Sequence, residues 1–164
     1  VVNTGVGGTL TAELGIGDVA VSTGVVQHDM DTSPFGDPVG FLSGINLVEL
    51  PADSAISEKL ADTAESLSLH TLRGNIVSGD QFVNDTDKKR ALRKQFAAIA
   101  CEMEGAAIGH VAYLNHVPFA VLRAISDSVD TDVQQMDYES FKHAAVRNTV
   151  KILQHFLEAT AGSL

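Results

Sequence analysis

Short apolar runs rich in valine and alanine alternate along this chain with segments of helical periodicity. Strand-length runs separated by helices are typical of an α/β protein, in which helices flank a sheet. The predicted strands are Val19–His28, with a possible break at Gly24, then Leu72–Ser78, Ala97–Cys101 and Val117–Ile125; the predicted helices are 53–67, Thr86–Phe96, Gly105–Asn115 and Tyr138–Ala159.

The segments between these elements differ in character. Val1–Asn3 is predicted to end a strand, and Thr4–Gly8 to form a tight turn that brings the backbone close to a ligand. Met30–Pro51 is rich in proline and glycine and is predicted to be a long loop. The second predicted helix, Thr86–Phe96, carries a basic cluster at 88–94, interpreted as a solvated face or, alternatively, as a phosphate site.

Composition restricts the partners of the chain. The formal net charge of −10 argues against binding to nucleic acid or to an anionic membrane. No apolar run approaches the roughly 18 residues of a membrane span. The single cysteine, Cys101, fits a reducing compartment such as the cytoplasm, and its apolar surroundings favour a core residue over a nucleophile. The histidines are scattered without metal-ligand spacing, so we expect neither a metal nor a cofactor.

Acidic residues stand where two of the predicted strands end. Glu102 and Glu104 follow Ala97–Cys101, and Ser126 and Asp127 follow the strand that ends at Ile125. In an open α/β sheet, ligands bind beyond the carboxyl ends of the strands, where these residues would converge. Ionised carboxylates accept hydrogen bonds, which suits a ligand rich in hydroxyls and nitrogen donors. The alternative is that the acids only cap the helices that follow.

These motifs, in their order, resemble the nucleoside phosphorylase/nucleosidase superfamily, and most closely its 5′-methylthioadenosine/S-adenosylhomocysteine nucleosidases. The resemblance extends from Val1 to about Leu157. It implies a three-layer αβα fold with a central mixed β-sheet flanked by helices. The stretches that carry it are Asn3–Gly8, Gly17–Ser22, His28–Asp31, Arg73–Phe82, Cys101–Ala107 and Leu122–Asp127.

The resemblance implies an N-glycosyl hydrolase that releases adenine and a 5′-thioribose sugar. Asp127 would then hydrogen-bond the purine at N7 and the exocyclic amine. Independently, a carboxyl group that shares a proton with a departing base would stabilise its negative charge. Ser126 would orient that carboxyl or merely end the strand, and Arg123 would position water or pair with an acid.

The remaining residues implied for the site contact the sugar, the base and the 5′-group. Glu104 would accept hydrogen bonds from the ribose hydroxyls, with Met103 against the sugar, although core packing also explains Met103. Glu102 would reach the water or the sugar, or turn away. Phe82 would stack on the purine, with Val83 backbone groups reading its edge, or would simply cover the core. Phe35 would close the 5′-pocket of a second subunit in a homodimer; the alternative is a surface loop.

Two alternatives to a hydrolase remain. Phosphorylases of the superfamily bring an arginine and a serine to the glycine stretch to hold phosphate, whereas this chain has Asn3 and Val6 there. That difference favours water as the nucleophile over a purine nucleoside phosphorylase. The other alternative is a nucleoside-binding module without catalysis.

The resemblance also implies further strands upstream of Val1, together with a glutamate that activates the attacking water. We therefore expect residues 1–164 to be a single nucleosidase domain that lacks this segment and that base. Such a fragment alone would be inactive and would pair with the segment as a covalent or separate chain.

Overall fold

The computed structural model describes residues 1–127, 129 and 134–161, with the backbone alone for 134–144. The predicted elements are confirmed in type, with ends that shift by a few residues. The strands are β1 Val2–Thr9, β2 Val19–Gln27, β3 Leu50–Pro51, β4 Thr71–Ser78, β5 Ala98–Glu102 and β6 Ala120–Ile125; the helices are α1 Ser54–Ser66, α2 Thr86–Phe96, α3 Gly105–Leu114 and α4 Gln134–Ala161, with a 3-10 turn at Ser33–Phe35.

Side-chain caps explain where two of the helices begin. The Asp53 carboxylate accepts a hydrogen bond from the Ile56 amide at the start of α1. Asp85 accepts one from the Lys88 amide at the start of α2. Each cap satisfies an amide that has no partner within the helix.

Among the described residues, no helix has both the length and the hydropathy that a membrane crossing requires.

The sheet is mixed and curls until it closes. Its strands follow the order β3-β2-β4-β5-β1-β6, and β6 also pairs with β2. Strands β2, β4 and β5 run parallel to one another, and β1 runs parallel to β6; the two sets meet through antiparallel pairs β1–β5 and β2–β6. The start of β2 pairs with β6, and its later part pairs with β3, beyond an irregularity between Ser22 and Gly24.

Alternating side chains of the sheet pack into cores on opposite faces. Val19 and Val21 of β2 pack with α1 and α4, whereas Ala20 packs with residues of α3. This alternation follows from the two-residue repeat of a strand. Helix α2 packs against β4 and β5 through a third cluster. The predicted αβα arrangement with a central mixed sheet is therefore confirmed.

The helical periodicity of the last predicted helix places Phe141, Ala145, Thr149, Ile152 and Phe156 on one core-facing stripe, and this prediction is confirmed where the side chains are described. Ala145, Thr149, Ile152 and Phe156 are all buried. Phe141, which we predicted to belong to the stripe, lies outside the residues whose side chains are described.

The prediction of a tight turn at Thr4–Gly8 is wrong. These residues continue β1, paired with β6 from Val2 opposite Ala120 to Gly7 opposite Ile125. The glycines serve close packing instead of a turn. A Cβ on Gly8 would lie 3.0 Å from Asp127 Oδ2, and one on Gly7 would lie 3.1 Å from the Cys101 carbonyl oxygen.

Candidate active site

A cleft of about 390 Å³ lies over the glycine-rich part of β1. Its size falls within the range of small-molecule sites. The ends of β5 and β6 and the loop after β4 complete its walls. The lining residues are Thr4–Gly8, Gln81–Val83, Cys101–Glu104, Ser126 and Asp127.

The acidic residues meet there by a different route from the one we expected. Strands β5 and β6 belong to opposite sets, so their carboxyl ends do not share one sheet edge. Strand β1 lies between them, antiparallel to β5 and parallel to β6. Gly8 pairs with Cys101 while Gly7 pairs with Ile125, and both acidic segments therefore border the same stretch of β1.

Asp127 is buried and held by two donors. The Thr9 amide donates a hydrogen bond to Oδ1 at 2.9 Å, and Lys89 Nζ lies 2.7 Å from Oδ2. Lys89 is itself fully buried, so the interpretation of the basic cluster of α2 as a solvated face is wrong at this position. Its neighbours Arg90 and Lys94 are exposed, as predicted.

Glu102 is the centre of a second buried ion pair. Its carboxylate accepts from Arg123 Nε at 3.1 Å and Nη2, and from the Ser78 hydroxyl. It also accepts from the Gly105 amide at 2.8 Å and the Glu104 amide at 3.1 Å. Glu102 therefore caps α3, as the alternative interpretation of the acids held, and its contact with substrate stays a prediction.

Glu104 differs from Glu102 in its exposure. Its side chain is 63% exposed, with one contact of 3.5 Å to Arg123 Nη2, and it makes no side-chain cap to α3. Its carboxylate oxygens can accept further hydrogen bonds from a ligand in the cleft. Met103 and Phe82 are 42% and 66% exposed beside it, while Val83 is buried.

Two of the predicted site residues lie outside the lining of the cleft. Arg123 is buried beneath β1, where a Cβ on Gly5 would lie 3.5 Å from Nη1, and it also donates to Asn3 Oδ1. It therefore supports the floor of the cleft. Phe35 is 87% exposed on its loop.

Sequence reasoning missed Lys89 and Ser78 as partners of the site. A usable signal existed for the lysine. Lys89, Leu92 and Phe96 are spaced three and four residues apart, which places them on one helix face, and all three are buried. No comparable pattern singles out Ser78, whose hydroxyl reaches Glu102 only through the pairing of β4 with β5.

Burial also sets the protonation of two further groups near the cleft. Burial, followed by the charge of Asp127, raises the pKa of the Cys101 thiol to about 12, so the group stays an unreactive thiol. Burial lowers the pKa of His28, whose Nε2 has no hydrogen-bond partner among the described residues. No grouping of acids, histidines and cysteine in the described part of the chain could hold a metal ion.

Comparison with known proteins shows the family of this chain. The family model of the phosphorylase superfamily matches residues 1–158. The chain belongs to the phosphorylase superfamily. One superfamily relative, the aminodeoxyfutalosine nucleosidase of Campylobacter jejuni, is 36% identical over 154 residues, which are 94% of this chain and 65% of the relative. The chain thus spans slightly less than two thirds of that relative's length.

Solved structures of nucleosidases share the fold of this chain. A 5′-methylthioadenosine/S-adenosylhomocysteine nucleosidase of Helicobacter pylori, complexed with a pyrrolopyrimidine compound, is 32% identical with a TM-score of 0.89, covering 97% of this chain and 68% of that one. A structure described as a futalosine hydrolase mutant of the same organism gives the same identity, TM-score and coverage. A putative nucleosidase of Francisella philomiragia is 34% identical with a TM-score of 0.87, covering 96% and 68%.

Proposed function

We propose that this chain forms the nucleoside-binding site of an enzyme that hydrolyses the N-glycosidic bond of adenosines with a 5′-substituent. The observation that carries the proposal is the cleft itself, which places a buried carboxylate, Asp127, and an exposed one, Glu104, on either side of a glycine-rich floor. We propose 5′-methylthioadenosine and S-adenosylhomocysteine as substrates. The names of the relatives support this class and also include nucleosidases of futalosine compounds.

The chemistry assigns a different task to each end of the cleft. As the bond between C1′ and N9 breaks, its electron pair moves to the base and positive charge develops on the sugar. Asp127 stabilises the departing base through N7, which gains a proton, and Phe82 stacks on the ring. Glu104 binds the ribose hydroxyls and stabilises the cationic sugar. Water adds its oxygen to C1′ and releases a proton to a base.

The charges of the cleft favour water over phosphate as the nucleophile. Among the described lining residues, three side chains are carboxylates and none is a lysine or arginine. Arg123, the cation nearest the glycine strand, already pairs with Glu102 and donates to Asn3. A phosphate dianion would therefore meet negative charge without a free cation, which disfavours a phosphorylase.

We also propose that the base which activates water lies outside the described cleft residues. Glu102 already binds Arg123, Ser78 and the first amide of α3. Asp127 is assigned to the purine ring, and Glu104 is assigned to the ribose. With these tasks assigned, no carboxylate of the lining is left to accept the proton. A module that binds nucleosides without catalysis is the corresponding alternative.

The test measures adenine release from 5′-methylthioadenosine by the naturally expressed protein in phosphate-free buffer. We expect free adenine and the free thioribose sugar, with a rate that added phosphate does not raise. A strict phosphate requirement with a sugar 1-phosphate product would favour the phosphorylase. Binding of adenine without any turnover in either buffer would favour the binding module.

A further inference from the structure

Lys89 is a buried cation that the proposed chemistry has not used. It lies on α2, and its side chain is 0% exposed. Its ammonium group ends 2.7 Å from Asp127 Oδ2. A lysine removed from water is costly unless a charge partner compensates it, and helix α2 offers exposed positions where a lysine costs nothing. A fully buried lysine against the carboxylate that faces the base therefore points to a role in the site.

The geometry around Asp127 defines that role. Lys89 holds Oδ2 and the Thr9 amide holds Oδ1, so both oxygens receive a hydrogen bond from the protein. Two such donors fit an ionised carboxylate, which has further lone pairs for a ligand. Gly8 leaves the space that the carboxyl occupies, since a Cβ there would lie 3.0 Å from Oδ2. The carboxylate is thus fixed from behind while Asp127 lines the cleft.

We propose that Lys89 is a positioning residue that holds Asp127 as an oriented hydrogen-bond acceptor for an N–H group at the N7 position of the bound base. This inference rests on the proposed function, because it needs a purine in the cleft. In this inference, Lys89 on α2 and Asp127 beyond the end of β6 together recognise the protonated leaving group. The N7 proton then comes from solvent or from the ammonium of Lys89, and the pair stabilises the product adenine.

The first experiment compares two bases that differ in the five-membered ring. Adenine in its main 9H form has an unprotonated N7, whereas 4-amino-5H-pyrrolo[3,2-d]pyrimidine, with carbon in place of N9, carries an N–H at the N7 position. Calorimetry on the natural protein should show tighter binding of the N–H base, by about tenfold or more, the usual size of a hydrogen bond to a charged group. Lys89→Met should abolish most of this preference. Lys94→Met, at an exposed position of the same helix, should keep it.

The ratio of the two affinities separates positioning from a merely structural role. General loosening of the cleft would weaken both bases equally and leave the ratio unchanged, which would overturn the inference. Failure of the unmodified natural protein to bind either base would instead count against the proposed function. Because Lys89→Met leaves a buried carboxylate unpaired and is expected to lower stability, Lys89→Met/Asp127→Asn provides a folded variant without the charges.

Turnover by the natural protein gives an independent result. Asp127→Asn should lower kcat by about a hundred- to ten-thousand-fold. Lys89→Met should lower kcat more than it raises KM, and the double variant should be no slower than Asp127→Asn alone, because both changes remove one function. Losses that multiply in the double variant, or a Lys89→Met enzyme with unchanged kcat, would show that Lys89 does not act through Asp127.

Discussion

Buried charges at single positions decide what the cleft can bind. Lys89 pairs with Asp127 and Arg123 pairs with Glu102, and all four side chains are buried. Removing one partner of such a pair leaves a charge without compensation, which destabilises a protein by several kcal/mol, about 3–5 in measured cases. The pairs therefore hold two carboxylates in place without making the chain unusually stable.

His28 gives the site region a pH-dependent stability. Burial lowers its pKa below the ordinary value of 6.5; the nearby Asp29 opposes this shift, and Lys88 acts in the same direction as burial. As the pH falls through 6.5, the unfolded chain binds a proton that the folded chain binds less readily. Stability contributed by neutral His28 is thus present above that pH and is lost below it.

We expect His28→Gln to reduce this loss. Between about pH 7.5 and about pH 5.5, its melting temperature should fall less than that of the unmodified chain. Thermal unfolding followed by circular dichroism at several pH values measures the difference. His155→Gln, at an exposed position of α4, is the matched control and should leave the pH dependence unchanged. Parallel pH curves for His28→Gln and the unmodified chain would contradict the prediction.

At the scale of the element, β1 is the strand on which the site depends. It separates β5 from β6 and brings their acidic ends together. Its glycines at positions 5, 7 and 8 lie against Arg123, Cys101 and Asp127. None of the three adopts a left-handed conformation, so the need is for space and not for a turn.

Gly8→Ala tests this need directly. The new Cβ would lie 3.0 Å and 3.2 Å from the Asp127 carboxyl oxygens and 3.3 Å from Cys101 Sγ, so the carboxyl must shift. We expect turnover by the natural protein to fall about a hundredfold, since small displacements of a catalytic group have effects of that size. Crowding should also lower stability by about 1–3 kcal/mol.

Gly15→Ala is the matched control, because its Cβ would meet Asp18 at an ordinary 3.6 Å. It should affect neither kcat nor the unfolding free energy measured in urea. A Gly8→Ala enzyme with full activity would show that Asp127 does not need its present position.

At the scale of the whole molecule, Phe35 is an exposed aromatic residue that does not line the cleft. Phe35 lies on a 3-10 turn that contributes no buried residue to the described structure. An aromatic side chain 87% exposed to water gains no packing energy within this chain. Its predicted place in the 5′-pocket of a second copy stays a prediction that the assembled protein can test.

Phe35→Ser should therefore leave the melting temperature unchanged but raise KM for 5′-methylthioadenosine. Adenosine, which lacks the apolar 5′-group, provides the control substrate and should be affected less. Light scattering after size-exclusion chromatography reports the oligomeric state of the natural protein. A monomeric active enzyme, or equal losses on both substrates, would contradict the shared 5′-pocket.

The sequence by itself determined the local elements of this protein and the acidic residues that line its cleft. The predicted helices 53–67 and Thr86–Phe96 are α1 and α2 of the structure, which begin directly after the caps Asp53 and Asp85. Val19–Val21 alternate between two cores as strand residues must. These features depend on neighbours a few residues apart, and such relations are visible in the sequence.

Tertiary structure alone decided how those elements meet. The glycines of β1 suggested a turn, but long-range pairing with β6 made them a strand that fits around Arg123 and Asp127. In the sequence Lys89 is one of several basic residues of α2. In the folded chain it is buried against Asp127, 38 residues away. Local periodicity could place Lys89 on the inner face of α2, but only the folded chain supplies the carboxylate that compensates the cost of burying its charge.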